Sequence, residues 1–382
     1  MRVMITGGGT GGHTSPAVAI IQELQRRDPQ FAVQWVGGRG KIEERVARRL
    51  NIPFRAVPVA SWPRSSRLRQ ALAAATLITG GLRAWLYLFR FRPDIVIAVG
   101  GYISVPLTWV AQRRGVPTVL HEQNKRLGLA NRLLAARATR LLLSYPETVG
   151  DYPAERARVV GNPVRAGFVS PPDKAQARKQ WELEPDVPVV LVAGGSQGAQ
   201  TINAALANAL PEFAKGSIQF IWMTGTEGFG AARATAAVAN VRVEARSFID
   251  DMPSACAAAD LIVGRAGASS TAEIAVMSKP SILIPYPFAT DNHQEQNARA
   301  FEAAGAAMVL LDQECTGESL SQAINNLLGD PVRLAQMGHA ARGMANPAAA
   351  DVIAEEVVGI VFGAPSGADA AGAQTAVAPR EQ

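Results

Sequence analysis

Short apolar runs alternate with amphipathic, helix-like segments along most of the chain. The first run spans residues 2–6 and leads through a glycine loop into residues 16–27, where Val18, Ile21 and Leu24 recur at helical spacing. Further apolar runs, each bounded by glycine, proline or charged residues, lie at residues 31–36, 94–99, 116–120 and 141–143. This alternation predicts a parallel sheet covered by helices on both faces.

The same succession of strand, glycine loop and helix opens again about half-way along the chain. Residues 188–193 predict a strand, residues 194–198 a loop and residues 201–213 a helix. Later apolar runs continue the second half at residues 220–224, 261–263 and 281–285. We therefore expect an α/β protein with two doubly wound, Rossmann-like domains, whose ligands bind at the carboxyl ends of the strands in a cleft between the halves.

A polar, proline-containing stretch after residue 163 marks the boundary between the two domains. We assign residues 1–163 to an N-terminal domain and residues 164–345 to a C-terminal domain. Residues 346–362 predict a last amphipathic helix, which we expect to pack back on the N-terminal domain. Residues 363–382 are rich in alanine, glycine, proline and serine, a composition that predicts a disordered tail.

One segment, residues 71–89, is apolar enough to be tested as a membrane span. It holds 19 residues with the single charge of Arg83, which is close to the minimum length of a span. Arg83 would cost about 2.5–3.5 kcal/mol at the centre of a bilayer, and the pair Gly80-Gly81 also disfavours insertion. Flanking arginines and terminal aromatic residues instead predict an interfacial helix on an anionic membrane surface. The alternative is a crossover helix buried against the sheet.

Composition and charge narrow the class of partner. The chain has 382 residues, of which 48% are hydrophobic and 18% charged, as in soluble globular proteins. The formal net charge is +6, and most of the 38 basic residues are arginines, whose forked side chains suit phosphates and anionic headgroups. Only 6% of residues are aromatic and no run of five basic residues occurs, so we expect no nucleic-acid partner.

The two cysteines, Cys256 and Cys315, stand in no CxxC or Cys/His spacing. We therefore expect neither a disulfide framework nor a zinc site. Cysteines of this kind predict a reducing, cytoplasmic compartment. The first residues run straight into the glycine loop without the apolar segment of a signal peptide, which agrees with that compartment.

The first glycine loop ends in a histidine. Gly7-x-Gly9-x-x-Gly12 matches the dinucleotide fingerprint, but no acid follows the second apolar run, and Arg39 at that point keeps an NADP-dependent oxidoreductase open as an alternative. A P-loop requires lysine where His13 stands. An imidazole at the start of a helix, close to substrate, can instead act as a general base. The alternative is that His13 only packs or caps there.

Polar side chains follow two further strands of the first half. Residues 121–124 read His-Glu-Gln-Asn and follow the strand at 116–120, while Gly100-Gly101-Tyr102 follows the strand at 94–99. Because the carboxyl ends of parallel strands meet at one edge of the sheet, these residues predict a substrate site there. For the glycine pair, ordinary turn chemistry is the alternative.

The second half carries two anion-adapted loops and an amide-rich one. The amides of the loop at 194–198 and the hydroxyl of Ser196 could cradle a phosphate. The glycine turn at 264–267 opens a helix whose free amides and dipole favour an anion, and Glu273 in its second turn suits a ribose diol or caps the helix. Residues 291–297 include four side-chain amides and the imidazole of His293, neutral hydrogen-bonding groups that suit a sugar.

No Asp-x-Asp pair follows a strand, and no His or carboxylate pair has metal-ligand spacing at an evident site. We therefore expect neither a metal nor a cofactor. A pyrophosphate would be stabilised by amides, by helix dipoles and by Arg165.

Together the motifs resemble glycosyltransferase family 28, in particular the bacterial transferases that add N-acetylglucosamine to an undecaprenyl-pyrophosphoryl-muramyl pentapeptide. The resemblance spans residue 2 to about residue 362 and rests on the joint order of motifs that are individually weak. These motifs begin at Gly7, Gly100, His121, Gly161, Gly194 and Asp291.

The resemblance implies a two-domain GT-B fold and an inverting, metal-independent transfer of N-acetylglucosamine from UDP to the muramyl 4-hydroxyl of a polyprenyl-pyrophosphate acceptor. It places acceptor and membrane on the N-terminal half and UDP-N-acetylglucosamine on the C-terminal half. His13 is the candidate base and Glu122 the alternative, while Tyr102, His121 and Glu122 would face the acceptor. The candidate donor-binding residues are Thr10, Gly11, Gly12, Asn124, Arg165, Ser196, Ile249, Ala268, Ser269, Glu273 and Gln294.

The same resemblance implies a peripheral enzyme on the cytoplasmic face of the inner membrane, with cell-wall and division proteins as further candidate partners. Within this fold, another lipid-acceptor transferase, such as a diacylglycerol glycosyltransferase, is the alternative function.

Overall fold

The computed structural model describes residues 1–9, 11–60, 66–195 and 198–363. The chain divides into two compact units. The first unit comprises Met1–Arg165 and the chain from Ala348 onwards, and the second comprises Ala166–Pro347.

The first unit is built on a seven-stranded parallel sheet in the order β3-β2-β1-β4-β5-β6-β7. Its strands are β1 (Arg2–Thr6), β2 (Ala32–Gly38), β3 (Phe54–Val57), β4 (Ile95–Ala98), β5 (Thr118–Glu122), β6 (Arg140–Leu143) and β7 (Ala157–Val159). Its first helices are α1 (Gly11–Arg27), α2 (Ile42–Arg49), α3 (Arg67–Phe91), α4 (Val105–Arg113) and α5 (Leu129–Leu134).

The second unit contains a six-stranded parallel sheet in the order β10-β9-β8-β11-β12-β13. Its strands are β8 (Val189–Ala193), β9 (Gln219–Met223), β10 (Arg242–Arg246), β11 (Leu261–Gly264), β12 (Ser281–Leu283) and β13 (Ala307–Val309). Its helices are α6 (Ala166–Val169), α7 (Lys174–Gln180), α8 (Gln200–Ala209), α9 (Gly225–Ala237), α10 (Met252–Ala258), α11 (Ala268–Val276), α12 (His293–Ala303), α13 (Gly317–Leu328) and α14 (Pro331–Gly343). The last helix, α15 (Ala349–Phe362), belongs to the first unit.

Alternate side chains of β1 enter different layers of the first unit, as the pleat of a strand requires. Ile5 packs in a cluster with α1 and α15, whereas Met4 packs in a cluster with α3 and α4. In α15, Ile353 and Val357 are fully buried in the first of these clusters. A sheet buried on both faces explains why its strands read as continuous apolar runs.

Both sheets reverse their strand order at one point. In the first sheet β1 lies between β2 and β4, and in the second β8 lies between β9 and β11. Ligands of doubly wound sheets bind outside the carboxyl ends of the strands at such a switch point. The glycine loops after β1, β4, β8 and β11 are located at these two positions.

The sequence-based boundaries differ from the structure at the places that matter for the site. β5 continues through His121 and Glu122, so these residues are strand residues, and the prediction that they lie in a loop is wrong. α1 begins at Gly11, which puts His13 in its first turn. The short strands β3, β7 and β13 were not predicted, and residues 364–382 of the predicted tail lie outside the described residues.

Candidate active site

The glycine loop after β1 runs so close to its neighbours that side chains do not fit. Gly7 has φ +135°, and a methyl group on it would lie 2.5 Å from Cγ2 of Val99, next to the end of β4. The backbone amide of Gly9 donates to Oε2 of Glu43 at 3.0 Å. The loop therefore needs glycine to approach both β4 and α2.

Glu43 is a functional candidate that the sequence analysis missed. Its buried carboxylate also accepts from the amide of Gly38 at 2.9 Å, so it ties the loops after β1 and β2 together. In the sequence it looks like an ordinary acid in the first turn of a helix, where a carboxylate is favourable in any case. Only the three-dimensional contact with Gly9 distinguishes it.

His13 lies against the glycine pair after β4. A methyl group on Gly100 would lie 3.0 Å from Cδ2 and 3.3 Å from Nε2 of the His13 ring. One on Gly101 would lie 2.8 Å from the carbonyl oxygen of Gly8. The half-buried imidazole is therefore held at the switch point by backbone that approaches it closely from β4.

His121 is fully buried and is hydrogen-bonded through both ring nitrogens. Nε2 lies 3.0 Å from the carbonyl oxygen of Gly161, and Nδ1 lies 3.1 Å from Nε2 of Gln123. Because Gln123 donates to both Nδ1 and the carbonyl of Val99, the His121 proton resides on Nε2. Burial, opposed by the bond to Gly161, lowers the pKa of His121 to about 4, so the ring is neutral at pH 7.

Gln123 presents an acceptor to the same place. Among the described residues, its Oε1 has no hydrogen-bond partner although the side chain is buried. This oxygen would lie 3.4 Å from a methyl group on Gly100, on the side where His13 also approaches. His13, Gly100 and Gln123 thus form one group around the end of β4.

Glu122 is surrounded by donors. Its Oε1 accepts from the backbone and side-chain amides of Asn124 at 3.0 and 3.1 Å. Its Oε2 accepts from the amide of Gly128 and from Nδ2 of Asn131, both at 2.9 Å. Burial raises the pKa of Glu122, and these hydrogen bonds oppose the rise. The carboxylate shapes the turn that follows β5 and fixes the side chain of Asn124.

His121 and Glu122, which the resemblance places towards the acceptor, are at most 2% exposed. Tyr102 fits the expected contact with the acceptor better, because it is half-buried and its ring would lie 3.8 Å from a methyl group on Gly9.

The candidate donor residues of the first unit lie at two places. Gly11 and Gly12 form the first turn of α1, and Arg165 is half-buried at the end of the first unit. Thr10 lies outside the described residues.

In the second unit, backbone meets backbone at the switch point. A methyl group on Gly264, at the end of β11, would lie 2.7 Å from the carbonyl oxygen of Ala193, at the end of β8. Gly195 and Gly198 have φ of +93° and +81°, which supports the predicted glycine loop between β8 and α8. Ser196 of this loop lies outside the described residues.

The amino end of α11 is a candidate anion site. Its N-cap is Gly267, which has no side chain to hydrogen-bond the first amides, and Ala268 and Ser269 follow in the buried first turn. The backbone amides of a helix start and the positive end of its dipole suit a phosphate here. Glu273 is half-buried in the second turn of the same helix.

A half-buried ion pair that the sequence analysis did not predict supports both loops. Arg265 pairs with Oδ1 of Asp312, while Oδ2 of Asp312 accepts from the hydroxyl of Thr201 at 3.0 Å. Arg265 also donates to the carbonyl oxygens of Ile284 and Pro285 at 3.2 Å. The pair therefore connects the turn before α11 to the first turn of α8 and to the end of β12.

The amide-rich segment folds around the same edge of the sheet. Oε1 of Gln294 accepts from the amide of Tyr286 at 3.1 Å, and the buried Asn297 donates to the carbonyl of Ala266 at 3.0 Å. Ile249 is buried in the loop after β10, and its neighbour Phe248 is exposed. Asn297 therefore holds the α11 turn, whereas Gln294 holds the loop after β12.

In residues 1–9, 11–60, 66–195 and 198–363, no group of three or more His, Cys, Asp or Glu side chains could hold a metal ion.

Two parallel α/β units, each with glycine loops at its switch point, are the architecture of the GT-B glycosyltransferases, and the comparisons with known proteins place the chain in this class. The glycosyltransferase family 28 N-terminal domain matches residues 3–143, and its C-terminal domain matches residues 189–354. The crystal structure of Acinetobacter baumannii MurG superimposes with a TM-score of 0.71 at 28% identity, covering 93% of this chain and 99% of that one.

Curated relatives extend this similarity over nearly the whole chain. The UDP-N-acetylglucosamine--N-acetylmuramyl-(pentapeptide) pyrophosphoryl-undecaprenol N-acetylglucosamine transferase of Lactiplantibacillus plantarum is 37% identical, over 92% of this chain and 97% of its own length. The transferase of the same name from Desulfitobacterium hafniense is 38% identical with the same coverage. The chain belongs to this family of N-acetylglucosamine transferases, the MurG family, within glycosyltransferase family 28.

Proposed function

We propose that this protein transfers N-acetylglucosamine from UDP to the 4-hydroxyl of the muramyl sugar in an undecaprenyl-pyrophosphoryl-linked muramyl pentapeptide. The observation that carries the proposal is the identity of 36–38% to transferases named for this donor and acceptor, over 92–94% of the chain. The glycine loops, which bring backbone amides to two separate switch points, give the chemical support, since the reaction has two substrates that both contain a pyrophosphate.

In this proposal the first unit supplies the base. An inverting transfer is an in-line attack on the anomeric carbon, so the attacking hydroxyl must lose its proton on the face opposite the leaving UDP. His13 is half-buried and is held against Gly100, whereas Glu122 has its lone pairs occupied by four donors. The geometry favours His13 as the base and Glu122 as a positioning residue.

We assign His121 and Gln123 the role of positioning groups around His13. His121 is neutral and hydrogen-bonded on both sides, so it holds Gln123 rather than exchanging protons. Gln123 in turn places Oε1 beside the His13 ring, where it can accept from the imidazole or from an acceptor hydroxyl. Tyr102 borders the same loop and is our candidate for contact with the acceptor sugar.

In the second unit the donor pyrophosphate would be held by backbone amides and by the dipole of α11. Gly267, Ala268 and Ser269 supply the amides at the start of that helix, and the loop between β8 and α8 supplies a second set. Glu273 would accept from the ribose hydroxyls, and Ile249 would border the uracil. These contacts stabilise the UDP leaving group as its negative charge develops.

The outer face of α3 would bring the enzyme to its membrane-bound acceptor. Ala84 and Leu88 of α3 are buried against the sheet, whereas large apolar side chains on the opposite side are exposed. Trp85 stacks on Phe89 at 5.8 Å between ring centroids. The exposed residues of this face are Leu72, Ile78, Leu82, Trp85, Leu86 and Phe89.

The length and composition of Gln70–Phe91 would allow α3 to cross a membrane. Its packing on α4 and β3 through a buried face supports interfacial binding instead, because one side of the helix is already covered by protein. We propose a peripheral position on the cytoplasmic face of the inner membrane, with an anionic membrane surface as partner. Cell-wall and division proteins remain candidate partners on the resemblance alone.

The test is the release of UDP from UDP-N-acetylglucosamine when a polyprenyl-pyrophosphoryl-muramyl pentapeptide is added, with the disaccharide product identified by mass. We expect release that depends on this acceptor and does not depend on a nicotinamide cofactor. Release with diacylglycerol instead would assign a different lipid-acceptor transferase. Nicotinamide-dependent turnover without UDP release would overturn the transferase altogether.

A further inference from the structure

A cavity of about 740 Å³ lies beside β3, the edge strand of the first sheet. It is lined by residues of α2, β3, α3 and the turn after β2. Four arginines contribute to its lining, namely Arg39, Arg48, Arg55 and Arg83.

The cavity lining contains four arginines but only one acidic residue. Glu44 is the acid in the lining, and it already accepts from Arg48 at 2.7 Å and from the amide of Gly40 at 2.6 Å. Within the described parts of the chain, no hydrogen bond or ion pair engages the guanidinium of Arg39, Arg55 or Arg83. Three exposed positive charges therefore share one cavity, which concentrates positive potential in it.

The remaining lining is apolar and well fixed. Ile52 is buried, and Phe54 and Tyr87 are half-buried. The hydroxyl of Tyr87 donates to the carbonyl of Ala56 at 3.0 Å, which fastens α3 to the edge strand. A low-dielectric wall strengthens the attraction between a guanidinium and an anion, and forked guanidinium groups match the oxygens of a phosphate.

The cavity adjoins the exposed apolar face of α3. Arg83 and Tyr87 line the cavity, and the residues that precede each of them, Leu82 and Leu86, are 64% and 43% exposed. A ligand with its anionic group in the cavity would therefore have apolar surface directly beside it. This juxtaposition suits an amphiphile better than a soluble anion.

From this juxtaposition we propose that the arginine cavity binds the phosphate of an anionic phospholipid headgroup, while the lipid chains follow the apolar face of α3. The inference rests on the proposed membrane association, and it adds a defined headgroup site. It also gives a role to Arg39, which sequence reasoning linked only to an NADP alternative.

The experiment compares binding of the full chain to phosphatidylcholine vesicles with and without phosphatidylglycerol, by co-sedimentation. The pocket variant is Arg39→Gln combined with Arg55→Gln. The matched control, Arg45→Gln combined with Arg137→Gln, removes the same charge from exposed positions outside the cavity. We expect the pocket variant to lose about tenfold or more of the phosphatidylglycerol-dependent binding relative to the control, since each basic residue near the surface contributes about fivefold. If the double variant unfolds, Arg83→Gln, which also removes an arginine from the cavity, is tested in the same assay and should weaken binding in the same way.

Equal losses in the pocket and control variants would overturn the proposal, because binding would then depend on diffuse charge. Pocket-dependent binding of glycerol 3-phosphate to the lipid-free protein, without enrichment on phosphatidylglycerol vesicles, would assign a soluble phosphate and overturn the lipid. Transfer to a short-chain, water-soluble acceptor is measured in parallel. If the wild-type protein binds these vesicles but does not transfer N-acetylglucosamine to the soluble acceptor, the proposed function is refuted. The headgroup site is then still supported.

Discussion

Gly100 and His13 are in such close contact that a methyl group on Gly100 would lie 3.0 Å from Cδ2 of the imidazole. The backbone at Gly100 has φ +90°, a conformation that L side chains rarely adopt. The glycine thus serves two purposes, since it permits the turn after β4 and leaves room for the ring at the start of α1.

Gly100→Ala should therefore displace His13 and lower kcat. Misplacement of a catalytic group by about 1 Å can cost about a hundredfold in rate, and we expect a loss of about tenfold to a hundredfold. The control is Gly115→Ala, where φ is +72° but no atom lies within 4 Å of the added methyl group. Steady-state kinetics should show the loss only for the first variant. Equal kcat in both would mean that this contact does not position the base.

His13→Ala should lower kcat by about 10²–10⁴ if the imidazole removes the proton of the attacking hydroxyl. Donor affinity should change little, because in our proposal the second unit holds the nucleotide. The measurements are the pH–rate profile and the Kd of UDP-N-acetylglucosamine. The acidic limb of the profile should disappear in the variant. Its persistence, unchanged, would assign the base to another group, with Glu122 the first to test.

The buried His121 should make stability depend on pH. Its pKa in the folded state is about 4, against an ordinary value of 6.5, so between these values the unfolded chain binds the proton and the folded chain does not. The free energy of unfolding should therefore fall as pH falls from 6.5 towards 4, by about 1.4 kcal/mol per pH unit at most from this group. Above pH 6.5 this contribution is fully present.

Urea unfolding at several pH values checks this dependence. His121→Gln should show a shallower loss of stability below pH 6.5 than the wild type. His339→Gln, at an exposed histidine of α14, provides the control and should follow the wild type. Parallel pH curves for His121→Gln and the wild type would show that burial of this ring does not set acid stability.

The sequence predicts the fold well because a doubly wound sheet leaves a strong pattern. Strands buried on both faces, such as Ile95–Ala98, must be apolar throughout, and glycine is needed where the first loop approaches Val99. The edge strand Phe54–Val57 was missed because only one of its residues is buried. A short strand with exposed side chains carries no such pattern.

The candidate site is predicted less completely, because chain spacing does not reveal which polar residues are buried. Four polar residues beginning at His121 read as a loop exposed to substrate, yet the first three are buried in hydrogen-bond networks. Asp312 and Thr201 are 111 positions apart and are brought to each other only by the fold. Long-range partners of this kind have no local signal in a single sequence.

Glu273→Ala should weaken the binding of UDP-N-acetylglucosamine without unfolding the protein. Hydrogen bonds to a charged group contribute about 1.5–3 kcal/mol, which corresponds to a Kd about tenfold to a hundredfold higher. Isothermal titration calorimetry measures the change. Glu212→Ala, which removes an exposed carboxylate from the short turn after α8, is the control. Wild-type donor affinity in a folded Glu273→Ala protein would show that this residue only stabilises the start of α11.

The final prediction concerns the outer face of α3. Leu82→Ser combined with Phe89→Ser should weaken binding to vesicles that contain anionic lipid, because these side chains are 64% and 51% exposed and would leave water on insertion. We expect a loss of about tenfold or more in co-sedimentation. Val238→Ser combined with Val332→Ser removes apolar side chains that are 83% and 68% exposed on the second unit, and should have no effect.

Electrostatic attraction should add to this apolar contact. Arg67→Glu and Arg90→Glu, at the two ends of α3, should weaken vesicle binding further, and raised salt should weaken binding of the wild type through screening. The apolar variant removes hydrophobic contact with the lipid, whereas the charged variants remove electrostatic attraction. Only the charged variants should therefore reduce the salt dependence of vesicle binding. Vesicle binding that resists both sets of substitutions and added salt would show that the enzyme reaches its lipid-linked acceptor through another surface.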